Sequence, residues 1–208
     1  MFYHGAKEIF PVLDKNEALK KSEELNADDV LLVGEYLGRT IDGFLPPIPS
    51  FLKDKVKDKR IVFSTTNGTV ALKKCCFADE IYAASFLNEE AVARYLIDCY
   101  GARNFLIVCS GSANAFNLED LYGAGSFISR LLEIGEEKKY EWQLTDSALA
   151  ALYFYKGNEE HSENLLTLSR VGQSLVKAGF GDEVMYILQK DACPVIPKLQ
   201  GDVLKVVE

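Results

Sequence analysis

The stretch best suited to chemistry is a run of five small, uncharged residues: Thr65, Thr66, Asn67, Gly68 and Thr69. The apolar residues 61–64 before it predict a buried strand, and residues 70–73 after it open a helical pattern. A polar turn between strand and helix directs N–H groups and hydroxyls outward at a sheet edge, where they can bind an anion. The same residues also fit an ordinary capped turn with Thr69 as the N-cap, and residue types alone favour this second interpretation.

Three carboxylates in other predicted turns could hold a metal ion. Glu35, Glu119 and Asp120 offer the oxygen ligands that Mg²⁺ prefers, together with water and a substrate phosphate. Thr65, Thr66, Asn67 and the Gly68 amide could then bind phosphate oxygens and stabilise charge during transfer. Glu119 and Asp120 equally fit the role of acids that complement a helix dipole.

Other candidate residues have an equally ordinary structural interpretation. Ser85 and Asn88 fit helix caps better than catalysts, and Cys109 fits a core residue better than a nucleophile. Asp146 fits an N-cap or a site acid. Arg170 could bind a sulfonate or carboxylate, or lie on the surface.

The elements that must position these residues alternate between strands and helices. The sequence predicts a three-layer α/β/α fold with a mainly parallel or mixed sheet, in one domain over residues 1–208 or in two subdomains divided near 135–145. The turns at 34–44, 65–69, 85–88 and 110–119 are expected to face one cleft. Strands are predicted at residues 8–12, 30–33, 61–64, 80–84, 104–109, 195–196 and 203–207. Helices are predicted after Asp14 and Asn88 and at 51–57, 70–73, 118–134, 144–155, 160–170 and 172–178.

Composition excludes several classes of protein. The 208 residues carry a net charge of −8, which argues against nucleic acid as a partner, and no apolar run is long enough to span a membrane. The five cysteines form no C-x-x-C pair, so reduced thiols and a cytoplasmic location are expected.

Several phosphatase mechanisms are excluded by residue spacing and residue counts. A cysteine phosphatase needs Arg six residues after its Cys, but Ala115 stands there after Cys109. Neither Asp-x-Asp nor a Gly-Lys-Ser/Thr loop occurs, and two histidines are too few for a dinuclear metal hydrolase.

Five short motifs together resemble the 2-phosphosulfolactate phosphatase family. Residues 65–69 match its Thr-Thr-Asn-Gly-Thr signature. The segments Gly34-Glu35, 85–88, 109–125 and 179–182 resemble other family segments, and all five occur along the chain in the family's order. The resemblance covers nearly the whole chain and implies a Mg²⁺-dependent phosphatase acting on a small anionic phosphorylated substrate, in coenzyme M biosynthesis. Together with the residue chemistry above, it gives three sets of expected site residues. The catalytic set is Thr65, Thr66, Asn67 and Asp146, and the metal ligands are Glu35, Glu119 and Asp120. The substrate-binding set is Gly68, Thr69, Ser85, Asn88, Ser110, Gly111 and Arg170.

Some segments depart from the family pattern. Tyr36 replaces the Arg of Gly-Glu-Arg, and Leu45 replaces the Asp of Gly-Phe-Asp. Two classes of function therefore stay open. One is a Mg²⁺-dependent hydrolase, and the other is a catalytically weakened homologue that binds an anionic metabolite or serves as an assembly subunit.

The first residues predict the last turn of a helix with Gly5 at its C-terminal cap. The resemblance places a strand, a loop with Asp and Arg, and the body of that helix before it. We therefore expect one of two arrangements. Either the native protein has an upstream extension, or it forms a homodimer whose interface includes Met1, Phe2 and Tyr3.

Overall fold

The computed structural model describes residues 1–26, 28–101 and 103–207. The chain divides into two compact units. Unit 1 comprises Met1–Ala83, Ser112–Ala115 and Pro197–Glu208, and unit 2 comprises Ala84–Gly111 and Phe116–Ile196. Residues 135–145, where a subdomain boundary was predicted, lie inside unit 2. No helix in the described ranges is both long and apolar enough to cross a membrane.

Unit 1 contains all the strands found in the described residues. Its elements in chain order are a 3₁₀ turn Phe2–His4, β1 Glu8–Val12, α1 Lys15–Leu25, β2 Val30–Tyr36, β3 Arg39–Thr40, α2 Pro49–Leu52, β4 Arg60–Ser64, α3 Gly68–Lys74, β5 Ile81–Tyr82, β6 Pro197–Gln200 and β7 Val203–Val206.

The seven strands form one mixed sheet in the order β3-β2-β4-β1-β7-β6-β5. β4 pairs in parallel with both β1 and β2, and the remaining pairs are antiparallel. In the β2–β4 register, Gly34 lies beside Ser64. This register matters for the site, because the polar turn begins directly after Ser64.

Strand alternation buries one apolar cluster on each face of this sheet. Ile9 and Ile61 pack with Leu52 of α2, whereas Val12 and Val62 pack with Ala18 of α1. Helices therefore cover both faces within unit 1. The predicted three-layer α/β fold with a mixed sheet is confirmed.

Unit 2 is helical over its described residues. It contains α4 Glu89–Tyr100, α5 Leu118–Glu137, α6 Asp146–Lys156, a 3₁₀ turn Glu159–His161, α7 Ser162–Leu168, α8 Arg170–Lys177 and α9 Gly181–Ile187. The core includes Tyr122 of α5, Tyr155 of α6, Leu166 of α7 and Val184 of α9. A single predicted helix over 160–170 is wrong, because Ser169 ends α7 and caps α8.

Two predicted strands are absent from the described structure. Residues 104–109 form no strand: Phe105 packs on Trp142 with ring centroids 5.5 Å apart, but Leu106 is 87% exposed. Residues 195–196 also lie outside any strand, since β6 begins at Pro197. An apolar run becomes a strand only where a neighbouring strand bonds its backbone groups, and neither segment has such a neighbour among the described residues.

Two further predictions need new bounds. The strand predicted at 80–84 is limited to Ile81–Tyr82, and the helix predicted at 51–57 is the short Pro49–Leu52. At the start of the chain, Gly5 has a left-handed φ of 88° and donates its N–H to Phe2, which confirms the predicted helix-end geometry.

A buried carboxylate of unit 2 lies at the start of α4. Glu89 is 2% exposed; its Oε2 accepts a hydrogen bond from Ser126 Oγ at 2.8 Å, and its Oε1 lies 3.9 Å from Lys190 Nζ. Burial raises the pKa of Glu89, Asp191 adds to that rise, and Ser126, Lys190 and Arg130 oppose it.

This shift predicts how stability changes with pH. Because the folded state holds the Glu89 proton more strongly than the unfolded state, the stabilisation is complete below the ordinary pKa of 4.5 and is lost as pH rises through the raised pKa. Glu89→Gln should therefore flatten the fall in unfolding free energy above pH 4.5. Urea unfolding at pH 5 and pH 7 measures this, and an equally steep fall in the variant would contradict it.

Candidate active site

The polar turn after β4 is closed by two threonines. The backbone N–H of each donates to the other's hydroxyl oxygen at 3.1 Å, and Thr69 Oγ1 also donates to the Thr65 carbonyl at 3.0 Å. Thr69 is buried, and the N-cap position of α3 is Asn67, so the prediction that Thr69 is the N-cap is wrong. The pair instead fixes the conformation of the turn and uses the Thr65 hydroxyl oxygen as an acceptor, so these bonds do not engage the Thr65 hydroxyl proton.

The middle of the turn is bonded to β2. Thr66 N donates to Glu35 Oε1 at 2.7 Å, and Thr66 Oγ1 donates to Glu35 Oε2 at 3.0 Å. Thr66 Oγ1 also accepts from Leu37 N at 2.7 Å, while Gly38 N donates to Glu35 Oε2 at 2.7 Å. The backbone N–H and the hydroxyl of Thr66 are therefore both hydrogen-bonded to the segment that follows Gly34.

Asn67 holds a second turn of unit 1. Its Oδ1 accepts from Ala113 N at 3.0 Å, and Ser112 and Ala115 close a two-residue turn with two mutual backbone bonds of 3.0 Å. Ala113 and Asn114 have φ of 51° and 60°, a conformation that is costly for alanine. With Oδ1 engaged, the Asn67 Nδ2 group and the Gly68 amide are donors without an acceptor in the described part of unit 1.

In unit 2, the loop before α5 contacts Asp120. Gly111 N donates to Asp120 Oδ2 at 2.6 Å, and Ser110 Oγ lies 3.4 Å from the same oxygen. Burial raises the pKa of Asp120, and the neighbouring Glu119 charge adds to it. Cys109 is exposed, so the expectation that it is a core residue is wrong. Local desolvation of the thiol and the Asp120 charge raise the pKa of Cys109, which disfavours the thiolate that a nucleophile needs.

One carboxylate oxygen of Glu119 has no hydrogen-bond partner in the described ranges. Its Oε1 accepts a short hydrogen bond from Ser169 Oγ, and Ser169 in turn caps α8 by accepting from Gly172 N at 3.0 Å. Glu119 Oε2 is buried and has no hydrogen-bond partner among the described residues. A buried, unsatisfied carboxylate oxygen is costly unless something binds it, and a cation would do so.

The remaining predicted site residues have structural or exposed positions. Asn88 Oδ1 accepts from Ser85 N and Oγ at 2.8 and 3.1 Å, and Asn88 Nδ2 donates to the Val195 carbonyl at 2.9 Å. Asp146 is not the N-cap of α6, because Thr145 holds that position, and Asp146 is exposed. Arg170 is exposed in the first turn of α8.

The structure therefore brings the predicted residues together in separate sets. Unit 1 joins Glu35 to Thr66 and Thr65 to Thr69, and unit 2 places Glu119 and Asp120 in the first turn of α5. Across 1–26, 28–101 and 103–207, no group of three or more His, Cys, Asp or Glu side chains could by itself hold a metal ion. A cation would need water or substrate oxygens to complete its shell.

Two contributing residues were not predicted from the sequence. Ser169 donates a hydrogen bond to Glu119. The sequence around Ser169 indicates only that a serine can cap the helix that begins at Arg170. Ala113 bonds Asn67 through its backbone, and its residue type carries no signal; only the neighbouring Asn114 is typical of a tight turn.

Comparison with known proteins now assigns the family. The sequence profile described as 2-phosphosulpholactate phosphatase matches residues 1–202. The chain belongs to the 2-phosphosulfolactate phosphatase family. This confirms the resemblance that the motifs indicated.

Several curated relatives carry the name "Probable 2-phosphosulfolactate phosphatase", a phosphoric monoester hydrolase. One from Caldanaerobacter subterraneus is 31% identical over 98% of this chain and 82% of the relative. Another, from Clostridium perfringens, is 34% identical over 99% of this chain and 82% of the relative. A third, from Caldicellulosiruptor saccharolyticus, is 37% identical over 90% and 77%, respectively.

Proposed function

We propose that this protein is a Mg²⁺-dependent phosphatase that hydrolyses 2-phosphosulfolactate, or a similar small phosphorylated acid, to the hydroxy acid and phosphate. The observation that carries the proposal is the buried Glu119 Oε2, which has no partner among the described residues, beside the adjacent carboxylate of Asp120. Membership of the phosphatase family supports it, since the relatives' names give this substrate.

The carboxylates of unit 2 fit a divalent cation. Two neighbouring, partly buried acids repel each other, which contributes to the raised pKa of Asp120, and a cation would relieve that repulsion. Mg²⁺ is commonly held by one or two carboxylates plus water and substrate phosphate, which matches this donor set. Glu119 and Asp120 would hold the ion, and the bound ion would neutralise charge on the transferred phosphoryl group.

The polar turn of unit 1 fits the binding of anionic oxygens. The Asn67 Nδ2 group, the Gly68 amide and the Thr65 hydroxyl proton are donors that the bonds within the turn leave open. Phosphoryl transfer depends mainly on positioning and electrostatic stabilisation, so fixed neutral donors of this kind suit it. We propose that they bind phosphate or sulfonate oxygens of the substrate.

A catalytically weakened homologue is the second candidate, and one observation favours it. Leu45 stands where the family pattern has Asp, and its side chain packs against the apolar cluster on one sheet face. That position therefore supplies no carboxylate for metal or proton transfer. This candidate would bind the anionic metabolite without turnover.

The experiment that separates the two candidates is a measurement of phosphate release from 2-phosphosulfolactate under multiple turnover. We expect sustained release that exceeds release from a phosphomonoester without the sulfonate. Binding of 2-phosphosulfolactate in calorimetry with no phosphate released would support the second candidate instead.

We also propose that the protein works as a cytoplasmic homodimer. Met1 and Phe2 pack against the apolar cluster of unit 1, whereas Tyr3 is 53% exposed and available for a contact. Light scattering should give twice the monomer mass, and Tyr3→Ser should lower it. A wild-type monomer at micromolar concentration would contradict this proposal.

One prediction follows for the turn. Asn67→Ala removes the Nδ2 donor and the bond to Ala113, so the affinity for inorganic phosphate should fall by about tenfold, as expected for one hydrogen bond to a charged group. Thr66→Ala should weaken binding in the same direction, because it removes the hydroxyl that donates to Glu35 and accepts from Leu37 N.

Calorimetric titration with phosphate tests this prediction, and urea unfolding checks that both variants stay folded. Asn16→Ala is the matched control, because Asn16 is an exposed residue of α1 in the same unit. Unchanged phosphate affinity in both turn variants would contradict the prediction.

A further inference from the structure

The carboxylate of Glu35, a predicted metal ligand, accepts three hydrogen bonds. It accepts from Thr66 N and Oγ1 and from Gly38 N, at 2.7, 3.0 and 2.7 Å. A carboxylate offers about four lone-pair positions, so one is left, on Oε1. Hydrogen bonds to a charged acceptor at such distances are among the stronger ones in proteins.

We propose that Glu35 is a positioning residue: it locks the polar turn of unit 1 to the β2–β3 hairpin and thereby orients the Asn67 and Gly68 donors. This inference rests on the proposed function of that turn. It assigns the metal to Glu119 and Asp120 without Glu35.

The sheet register places Glu35 for this role. A Cβ built on Gly34 would lie 2.4 Å from the Ser64 carbonyl oxygen, so only glycine allows β2 to approach β4 this closely. Gly34 and Ser64 form the last residue pair between β2 and β4. Glu35 therefore follows the last residue of β2 that pairs with β4, just as the turn residues follow the last paired residue of β4.

Hydrogen bonds to Thr66 and Glu35 also stabilise the β2–β3 hairpin. Tyr36 pairs with Arg39, so Leu37 and Gly38 form a two-residue turn with φ of 50° and 77°. Leucine in this conformation is strained, and Leu37 is 62% exposed, so packing does little to stabilise it. Its N–H bond to Thr66 Oγ1 and the Gly38 bond to Glu35 hold the turn in place.

The two segments therefore fix each other. The hairpin supplies the carboxylate that engages Thr66, and Thr66 supplies the hydroxyl oxygen that engages Leu37. Loss of the carboxylate should release both the hairpin and the turn. The sheet below should remain, because these groups lie beyond the paired residues of β2 and β4.

The test compares Glu35→Gln with wild type in three measurements. Glutamine keeps the shape but directs an NH₂ group at donors that now bond a carboxylate oxygen. We expect kcat/KM to fall about tenfold or more, mainly through KM, since small misplacement of binding groups is costly. The Mg²⁺ concentration for half-maximal rate should stay within about twofold, because the assigned metal ligands are unchanged.

The third measurement does not depend on activity. Arg39 is exposed in the hairpin, so tryptic cleavage after Arg39, mapped by mass spectrometry, should become at least about tenfold faster in Glu35→Gln. Thr66→Val, which removes the hydroxyl alone, should show the same direction if Glu35→Gln does not fold. Glu8→Gln is the matched control, because Glu8 of β1 is ion-paired with Lys205 at 2.7 Å and lies outside the turn.

These measurements separate a failure of the positioning role of Glu35 from a failure of the proposed phosphatase function. A Mg²⁺ requirement raised tenfold or more, with unchanged cleavage at Arg39, would overturn the inference and make Glu35 a metal ligand. If the wild-type protein releases no phosphate, the rate of cleavage at Arg39 and the affinity for inorganic phosphate still test whether Glu35 positions the turn. Wild-type values for both in Glu35→Gln and Thr66→Val would refute the positioning role.

Discussion

Replacement of Gly125 by alanine should lower the free energy of unfolding by about 3 kcal/mol, the upper range for overpacking a core. A Cβ built on Gly125 of α5 would lie 2.1 Å from the Ala151 carbonyl oxygen and 2.6 Å from Tyr155 Cβ of α6. Because one of these atoms belongs to the backbone of α6, the helices must move apart. The separation would then loosen the packing of buried Tyr122 and Tyr155.

The matched control lies two residues away on the same helix. A Cβ on Gly123 would meet only Phe86 Cζ, at an ordinary contact distance of 3.8 Å. Gly123→Ala should therefore be neutral or stabilising by up to about 1 kcal/mol, the gain in helix propensity. Urea unfolding of both variants measures the difference, and equal stabilities would show that the α5–α6 approach is not limited by Gly125.

The second large effect is expected at Glu119. Glu119→Gln removes the charge but keeps an oxygen that can accept from Ser169, so phosphate release should fall at least about 100-fold while the fold is retained. Saturating Mg²⁺ should raise the melting temperature of wild type, because an ion that binds only the folded state stabilises it. That rise should disappear in Glu119→Gln.

Glu136→Gln is the control for this experiment, since Glu136 is an exposed acid on the same helix. It should keep both the activity and the thermal shift with Mg²⁺. A Glu119→Gln variant with wild-type activity and an intact thermal shift would remove the proposed metal from this position.

Features specified by nearby residues were predictable from the sequence. The helix predicted after Asp14 is confirmed as α1, with the Asp14 carboxylate accepting from Glu17 N at 2.9 Å as its N-cap. The strand before the polar turn is also confirmed, as Arg60–Ser64. The long helix predicted from residue 118 is confirmed and extends to Glu137, since its apolar periodicity is continuous.

Features that depend on distant partners were not predictable in the same way. The segment 104–109 has the composition of a strand, but strand pairing needs a neighbour that composition does not specify. Glu35 has the chemistry of a metal ligand, and only the β2–β4 register reveals that Thr66 and Gly38 engage its carboxylate. Ser169 lies 50 residues from Glu119, so the contact between them has no local signature.

Phosphate release from 2-phosphosulfolactate during a Mg²⁺ titration is the most direct test of metal-dependent hydrolysis by this protein. We predict no release after treatment with a chelator, saturable recovery as Mg²⁺ is added, and no recovery in Glu119→Gln at the same concentrations. Phosphate release that is equally fast with chelator present, or absent at every Mg²⁺ concentration, would contradict Mg²⁺-dependent hydrolysis.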